Sequence, residues 1–566
     1  MGISRYYADT FVVGAGGSGL IAAIEASKHS GSVAVVSKGK AGHSGATVMA
    51  PGGIAAIHDL WRRPGDSKEL HEKEAYAGGD WLNNQELMGT IAEEIGEVLI
   101  SLEKMGALWE REPDGKKPRL KTDGGHSHDR SLFVQDRVGR EIMRALKSEI
   151  LRRNIPVYDE IMIVSAIKGN TRTGNTRVTG AVGFDLNSLE PVLIECKSLV
   201  IASGGAGMVY SNTSNPIDLT GDGYALCAEA GAQLIDMEFV QFFPIGMLFP
   251  EAYKGILGGT AMYSLLYNSR KERFMERYDP VRMEKSTRDY ISRAIMQEVA
   301  EGRGTPRGGV WCDCSCNEPG FFKGFLNYAY QLHLSAGIDM DKDPYETAPS
   351  SHFFMGGVKV GKAWNTGVDG LYCIGEAAGG AHGSNRISQN ALSDILVSGV
   401  IAGREAAKRA AEIPVTHNDP QVTVPVKNEI NSLLSAETGI RPLELRKRLR
   451  DLMWEGAGVL RSEASLKQAL ENVKELERMK ISLGNHHPWV NQGVMQAFEN
   501  KSLVCTAKAV ILSALARAET RGSHYRSDYP ETNESWLKNI VLTLGHNGFE
   551  VSTQEVAFTR MKKGEA

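Results

Sequence analysis

With 566 residues, 42% of them hydrophobic and 23% charged, the chain can hold two or more domains built on large cores. A net charge of −4, from 64 basic and 68 acidic residues, disfavours a nucleic-acid-binding stripe. No apolar run reaches about 18 residues and MGISRYYADT has no apolar signal core, so the expectation is a cytoplasmic protein that meets a membrane only through partners.

Thr10–Val13 (TFVV) reads as a buried strand running into GAGGSG and the helical LIAAIEASK, with a second strand at VAVVS. Strand, glycine turn, helix, strand opens a doubly wound α/β fold. Gly14, Gly16 and Gly19 fit GxGxxG. The first glycine permits the tight turn, the second admits a pyrophosphate, and the third lets the helix pack closely while its N-terminus supplies partial positive charge. The second strand ends in Ser37-Lys38, without the acid that holds the ribose in an ordinary NAD site. A helical pattern follows from Glu69 to Lys104.

Leu199–Ala202 is another buried strand, before SGGAG, and TGDGYALCAEAGA is a glycine turn entering a helix. From Asp236 to Ser350 aromatic residues and short elements dominate, and Ser286 with Asp289 has the pattern of a capping box for STRDYISRAIMQEVAEG. In VWCDCSC the spacing sets Cys312, Cys314 and Cys316 on one face of a strand. One intervening residue is too few for the chain to wrap an ion, so small buried side chains are expected there and no metal site. GLYCIGEAAGG returns to the strand-and-turn style, and its following helix carries Leu392, Ile395, Leu396 and Val400 on one face. Pro414, Pro420 and Pro425 mark a boundary before the charged helical LKQALENVKELERMK.

VVGAGGSGL, APGGIAA, SGGAG, LTGDGYALCAEAGA, DMEFVQF, ERFM, RDYISRAI, EGRG, HFFMGGV, GEAAGGAHGSNR and RGSHYRSDYP occur in this order over nearly the whole chain. Together they resemble the flavoprotein subunit of the succinate dehydrogenase and fumarate reductase family, which includes L-aspartate oxidase. The resemblance implies a Rossmann-like α/β FAD-binding domain over 1–235 and 351–412, an inserted α+β capping domain over 236–350, and a mostly helical domain over 413–566. It also implies an iron–sulfur electron-transfer partner subunit. By the same resemblance Gly14, Gly16 and Gly19 hold the FAD pyrophosphate and Ser37 lies near the adenosine ribose. Gly52 and Gly53 run beside the isoalloxazine, and Asp222 and Glu376 contact the ribityl and ribose region. The helix opening at Asn390 aims its N-terminus at the flavin pyrimidine edge, where a positive end stabilises the reduced anion.

The family's chemistry, carried over by resemblance, moves a hydride between flavin N5 and a carbon beta to a carboxylate while an arginine passes the proton. Arg293 of SRAI is matched to that arginine. A guanidinium with a pKa above about 12 donates only if a carbanion develops beside it and a carboxylate relay restores its proton. His352 of SHFFMGG and Arg386 of GSNR match the clamp on one substrate carboxylate, and the planar fork of Arg386 suits bidentate binding.

Two departures stand out. The family reads FVQFHPTG where this chain has FVQFFPIG, so Phe243 replaces a histidine that holds a second carboxylate. The family's TEG aligns with ILG, which puts Ile256 and Leu257 in place of a threonine and a glutamate. A carboxylate buried there without a partner costs several kcal/mol, whereas an apolar group gains about 25 cal/mol per Å². FVQFFPIG is therefore expected to wall a pocket for a small unsaturated or saturated carboxylate less polar than fumarate. The position of the family's flavin-linking histidine falls on Ala46, with His43 three residues upstream, so non-covalent FAD is expected. His126 and His128 of GGHSHDR are unassigned candidates to stand behind the site, with a solvated loop as the first reading. The alternatives left open are a true fumarate reductase or succinate dehydrogenase flavoprotein, an aspartate-oxidase-like enzyme, and a non-catalytic flavin relay subunit.

Overall fold

In the computed structural model, which describes residues 3–29, 31–170, 176–258 and 261–564, TFVV becomes the middle strand of a five-stranded parallel sheet. Its order is Leu371–Cys373, Ser198–Ile201, Thr10–Val13, Val33–Val36, Val157–Tyr158. Phe11, Val12, Val35, Val200 and Ile201 are fully buried, as apolar runs must be in a sheet covered on both faces. Helix Gly17–Ala26 packs along helix Asn390–Glu412. The approach is close because a Cβ on Gly403 would lie 2.4 Å from the Ala22 carbonyl oxygen.

A second sheet, antiparallel over Ile161–Asn170, Thr176–Asp185 and Pro191–Glu195, is extended by Ser4–Tyr7 in parallel. Over the cavity stands an antiparallel sheet ordered Val240–Met247, Tyr345–Phe354, Val310–Asp313, Leu265–Tyr267. It has its own core of Phe243, Ile245, Leu266, Phe274, Ile295 and Met340. Helix Arg288–Ala300 lies against strand Val240–Met247. That strand is FVQFFPIG and its register shifts between Phe243 and Gly246. Pro244, which has no N–H to give to a ladder, sits inside the shift.

Four features depart from the sequence expectations. Strand Tyr345–Phe354 runs through the boundary expected at 350. The C-terminal region is helical over Val424–Ser435, Pro442–Ala457, Glu463–Arg478 and Gln492–Ala516, but it ends in the hairpin Lys538–Gly545 and Gly548–Glu555. That hairpin joins Leu234–Ile235, Gly357–Lys359 and Ala378–Gly379 in one sheet. The capping box is not formed: helix Arg288–Ala300 has Thr287 at its N-cap and no side-chain cap. The strand over VWCDCSC stops at Asp313, so Cys312 and Cys314 are buried and Cys316 is exposed. No helix among the described residues is long and apolar enough to cross a membrane.

Candidate functional site

A cavity of about 530 Å³ opens between the parallel sheet and the capping sheet. At one end its lining is glycine-rich: Gly14, Gly16, Gly52, Gly53 and Gly204. Gly14 has φ +112°, and a Cβ there would lie 2.3 Å from the Ala202 carbonyl oxygen. Gly19 does not line the cavity; its missing Cβ would sit 1.9 Å from the Gly14 carbonyl oxygen, so it serves helix packing alone. The hollow that these absent side chains leave, at the start of helix Gly17–Ala26, fits a dinucleotide.

Ser37, Asp222 and Glu376 line this end as well. The Lys38 ammonium, buried, lies 2.8 Å from Asp222 Oδ2 and 2.6 Å from Glu499 Oε1. Burial works to lower its pKa, but the two carboxylates outweigh that and raise it. Lys38 thus occupies the place where an NAD site carries an acid, and it holds Asp222 instead. Glu376 accepts the Phe354 N–H at 3.0 Å, and burial pushes its pKa up to about 7.

The other end joins two unlike surfaces. Phe243, Ile256 and Leu257 form an apolar wall, continued by Leu326 and Leu332. Ile256 and Leu257 stand beside the FVQFFPIG strand because the Met247 N–H donates to the Ile256 carbonyl at 2.9 Å and Leu257 bridges to Gly246. Facing them are Arg288, His352 and Arg386. Arg386 donates through Nη2 to Gln241 Oε1 at 2.9 Å and through Nη1 to the Ile387 carbonyl at 3.2 Å. Its Nε has no hydrogen-bond partner among the described residues. Arg288 donates through Nη2 to Ser388 Oγ at 2.8 Å, and its guanidinium lies 5.0 Å from the Phe243 ring centroid. Among the described residues neither guanidinium has a carboxylate within ion-pair distance. Burial lowers the pKa of both, and for Arg386, with the charge of Arg288 added, it falls to about 9.

His352 is held by Ser214, Oγ to Nδ1 at 2.9 Å. Burial first, then Arg386 and Arg288, keep its pKa well below the ordinary value, so the ring is neutral. The Ser214 hydroxyl also lies 3.3 Å from the Ser351 carbonyl, which accepts from it.

Besides Gly19, two sequence assignments change. Arg293 does not reach the cavity. It pairs with Asp289 Oδ2 at 2.8 Å, lies 5.3 and 5.5 Å from the rings of Tyr290 and Tyr525, and lines a separate small hollow with Phe242 and Gly522. Five residues along a helix turn a side chain by about 140°, so only one arginine of RDYISR can face the cavity. That one is Arg288. Asn390 likewise turns away: its Oδ1 meets His71 Nε2 at 2.9 Å, and Gln389, Ala391, Leu392 and Ile395 line the cavity instead. Gln389, at φ +67°, accepts the Gly53 N–H with its side chain.

The solvated-loop reading fails for His126. Its side chain is fully buried, its Nε2 lies 2.7 Å from the Ser388 carbonyl, and its ring is 5.5 Å from that of His71. Sequence reading also passed over Asp123, Lys121 and Gln241. Asp123 lies in the same TDGGHSH stretch as the histidines, and its type alone was a signal.

Residues 9–392 match the family model described as "FAD binding domain", and residues 446–565 match "Fumarate reductase flavoprotein C-term". The chain belongs to the fumarate reductase and succinate dehydrogenase flavoprotein family. It is an FAD-dependent oxidoreductase. It is 38% identical to one of the subunits of the CoM/CoB fumarate reductase of Methanothermobacter marburgensis, over 95% of this chain and 97% of that one. It is 33% identical to the chloroplastic L-aspartate oxidase 2-b of Nicotiana tabacum over 94% of this chain and 83% of that one. An E. coli quinol fumarate reductase structure superposes with a TM-score of 0.90 at 27% identity, covering 99% of this chain and 98% of that one. The FAD-binding, capping and helical C-terminal architecture is that of this flavoprotein family.

Proposed function

We propose that this flavoprotein interconverts a C=C and a CH–CH unit beside one carboxylate, on a substrate less polar than fumarate. The observation that carries the reading is the pair of guanidiniums of buried Arg386 and half-buried Arg288, with no carboxylate in ion-pair distance among the described residues, opposite a wall of Phe243, Ile256 and Leu257. A buried cation left unpaired is a place for an anion. A second carboxylate would have to press on apolar carbon.

FAD, when bound, gives or takes the hydride at N5. The residues named in the cradle that hold it are Gly14, Gly16, Ser37, Gly52, Gly53, Asp222 and Glu376. Arg386 and His352 clamp the substrate carboxylate, and Arg288 moves the proton at the neighbouring carbon. Burial favours that role, because it lowers the cost of a transiently neutral guanidine. Non-covalent FAD is supported by Ala46 in the cavity lining, while the exposed His43 stands outside it, 3.2 Å from Lys147. Electrons pass to or from a separate iron–sulfur protein, a reading supported by the archaeal relative, which is itself one part of a larger fumarate reductase.

The test is anaerobic: reduce the bound flavin, add fumarate or cinnamate, and follow the return of the oxidised absorbance band. Return with cinnamate and none with fumarate is expected. Fast return at micromolar fumarate refutes the pocket argument. A second reading, oxidation of a C–N unit, is favoured by the similarity to L-aspartate oxidase; rapid reoxidation in air with an imino product would reveal it.

A further inference from the structure

Five carboxylates line the cavity: Asp123, Asp136, Asp218, Asp222 and Glu376. Four have a structural engagement. Asp218 accepts the Gly45 N–H at 2.8 Å, Asp222 is paired with Lys38, Glu376 takes the Phe354 N–H, and Asp136 takes the backbone N–H of Tyr328. Asp123 is engaged too, but by Gln389, the neighbour of the residue that holds Arg288. Its Oδ1 accepts the Gly124 N–H at 2.8 Å, and its Oδ2 accepts from the side-chain amide of Gln389.

The residue before Gln389 is Ser388, whose Oγ receives Arg288 Nη2 at 2.8 Å. Ser388 also donates its N–H to the Gly124 carbonyl at 3.0 Å. Two consecutive residues therefore hold Asp123 on one side and Arg288 on the other. The loop that carries Asp123 is open to water, since Thr122, Gly124 and Gly125 are exposed. On the wall side of Arg288, Phe243 and Leu257 offer no proton.

We propose that Asp123 relays protons between solvent and Arg288. The inference rests on the hydride-transfer reading above. In the saturating direction one carbon gains the hydride from the reduced cofactor and its neighbour gains a proton from Arg288. The Asp123 carboxylate then takes a proton from water and passes it to the neutral guanidine. Each turnover consumes two electrons, carried as one hydride, and one bulk proton; the reverse direction releases them.

The charged and titratable groups facing Asp123 are Arg288, Lys121, Arg386 and His126. Burial alone raises the Asp123 pKa, but Arg288, the Gly124 N–H, Gln389 and Lys121 outweigh it and leave it below the ordinary value. The resting relay is therefore an ionised carboxylate ready to accept. His126, pushed down by burial, is neutral and already engaged with the Ser388 carbonyl.

The experiment compares wild type, Asp123→Asn and Asp123→Glu as FAD-loaded proteins, with cinnamate as acceptor, from pH 6 to 8, in water and in D2O. Asparagine should lower kcat roughly 100-fold with KM little changed, within the usual span for a lost acid–base group. It should also raise the solvent isotope effect and make kcat fall with rising pH, because water alone must then reprotonate Arg288. Glutamate should restore most of the rate. Flavin content, measured by absorbance, should stay at the wild-type level in both variants. An unchanged kcat in Asp123→Asn overturns the relay, as does a loss confined to KM, which would mark Asp123 as a binding group for a substrate cation. Equal loss in both variants together with lost FAD also overturns it, in favour of a structural role. If wild type fails to turn over cinnamate or fumarate, the hydride-transfer reading itself falls, and that result is distinct because it does not depend on position 123.

Discussion

Replacing Phe243 by histidine should shift the preference of the pocket toward a second carboxylate. Phe243 is 7% exposed, with the His352 ring centroid at 5.5 Å and the Arg288 guanidinium at 5.0 Å. At that exposure about 15 Å² of its surface can face a ligand, so an apolar substrate loses ~0.4 kcal/mol at 25 cal/mol per Å². The two arginines that keep His352 neutral would keep the new imidazole neutral too, so it offers a second carboxylate one ordinary hydrogen bond, about 1 kcal/mol. The terms add because they act on different ligands, and ~1.4 kcal/mol is roughly a 10-fold swing in the ratio of dissociation constants. The assay titrates the oxidised Phe243→His holoenzyme and wild type with fumarate and cinnamate, reading perturbation of the flavin band. Wild type should bind cinnamate better than fumarate, and the variant should narrow or invert that ratio. A wild type that prefers fumarate, or a ratio unmoved in a variant that keeps its FAD, refutes the reasoning.

The two arginines of RDYISR should separate cleanly: Arg288→Gln loses 10²-fold or more in kcat, on the order of an acid–base group, while Arg293→Gln changes it by only about a few-fold. Steady-state rates on one substrate decide this, and comparable losses would return Arg293 to the site. Glu376 gives a pH signature, since its pKa rises from an ordinary 4.5 to about 7 on folding through burial. A carboxylate raised in this way contributes stability that is full below pH 4.5 and lost as pH rises through 7. For FAD-free protein the loss is about 3 kcal/mol between those limits. Glu376→Gln should flatten that slope in urea unfolding at pH 5 and pH 7.5. Acid precipitation should leave the FAD in the supernatant, and flavin that stays with the pellet would mean a covalent link.

The glycine turns, the parallel sheet and the wall of FVQFFPIG were legible in the sequence because each is set by local pattern. A turn that no Cβ can enter and a strand of consecutive apolar residues carry their reasons in adjacent letters. Arg288 was not legible for the opposite reason. RDYISR offers two arginines, and only the rotation of the helix against strand Val240–Met247 decides which one the cavity receives. Asn390 was misplaced similarly: the start of its helix was found, but the left-handed turn at Gln389 rotates Asn390 toward His71 and brings Gln389 to Gly53. His126 looked solvated because its neighbours are polar. Its burial comes from Ser388 and His71, both distant in sequence. The last hairpin escaped notice because its outer strand is mostly exposed and has little apolar periodicity.

That hairpin bears on how the protein is made. Strand Lys538–Gly545 pairs with Leu234–Ile235, so one sheet is assembled from opposite halves of the chain. Pairing at that separation forms late, after the long intervening segment has been closed. On a ribosome the nucleotide cradle and the capping sheet are synthesised long before the strand that closes the sheet between them. A nascent chain halted short of Lys538 carries every cavity residue named here yet has Leu234–Ile235 with one edge unpaired. Such an edge invites the wrong neighbour.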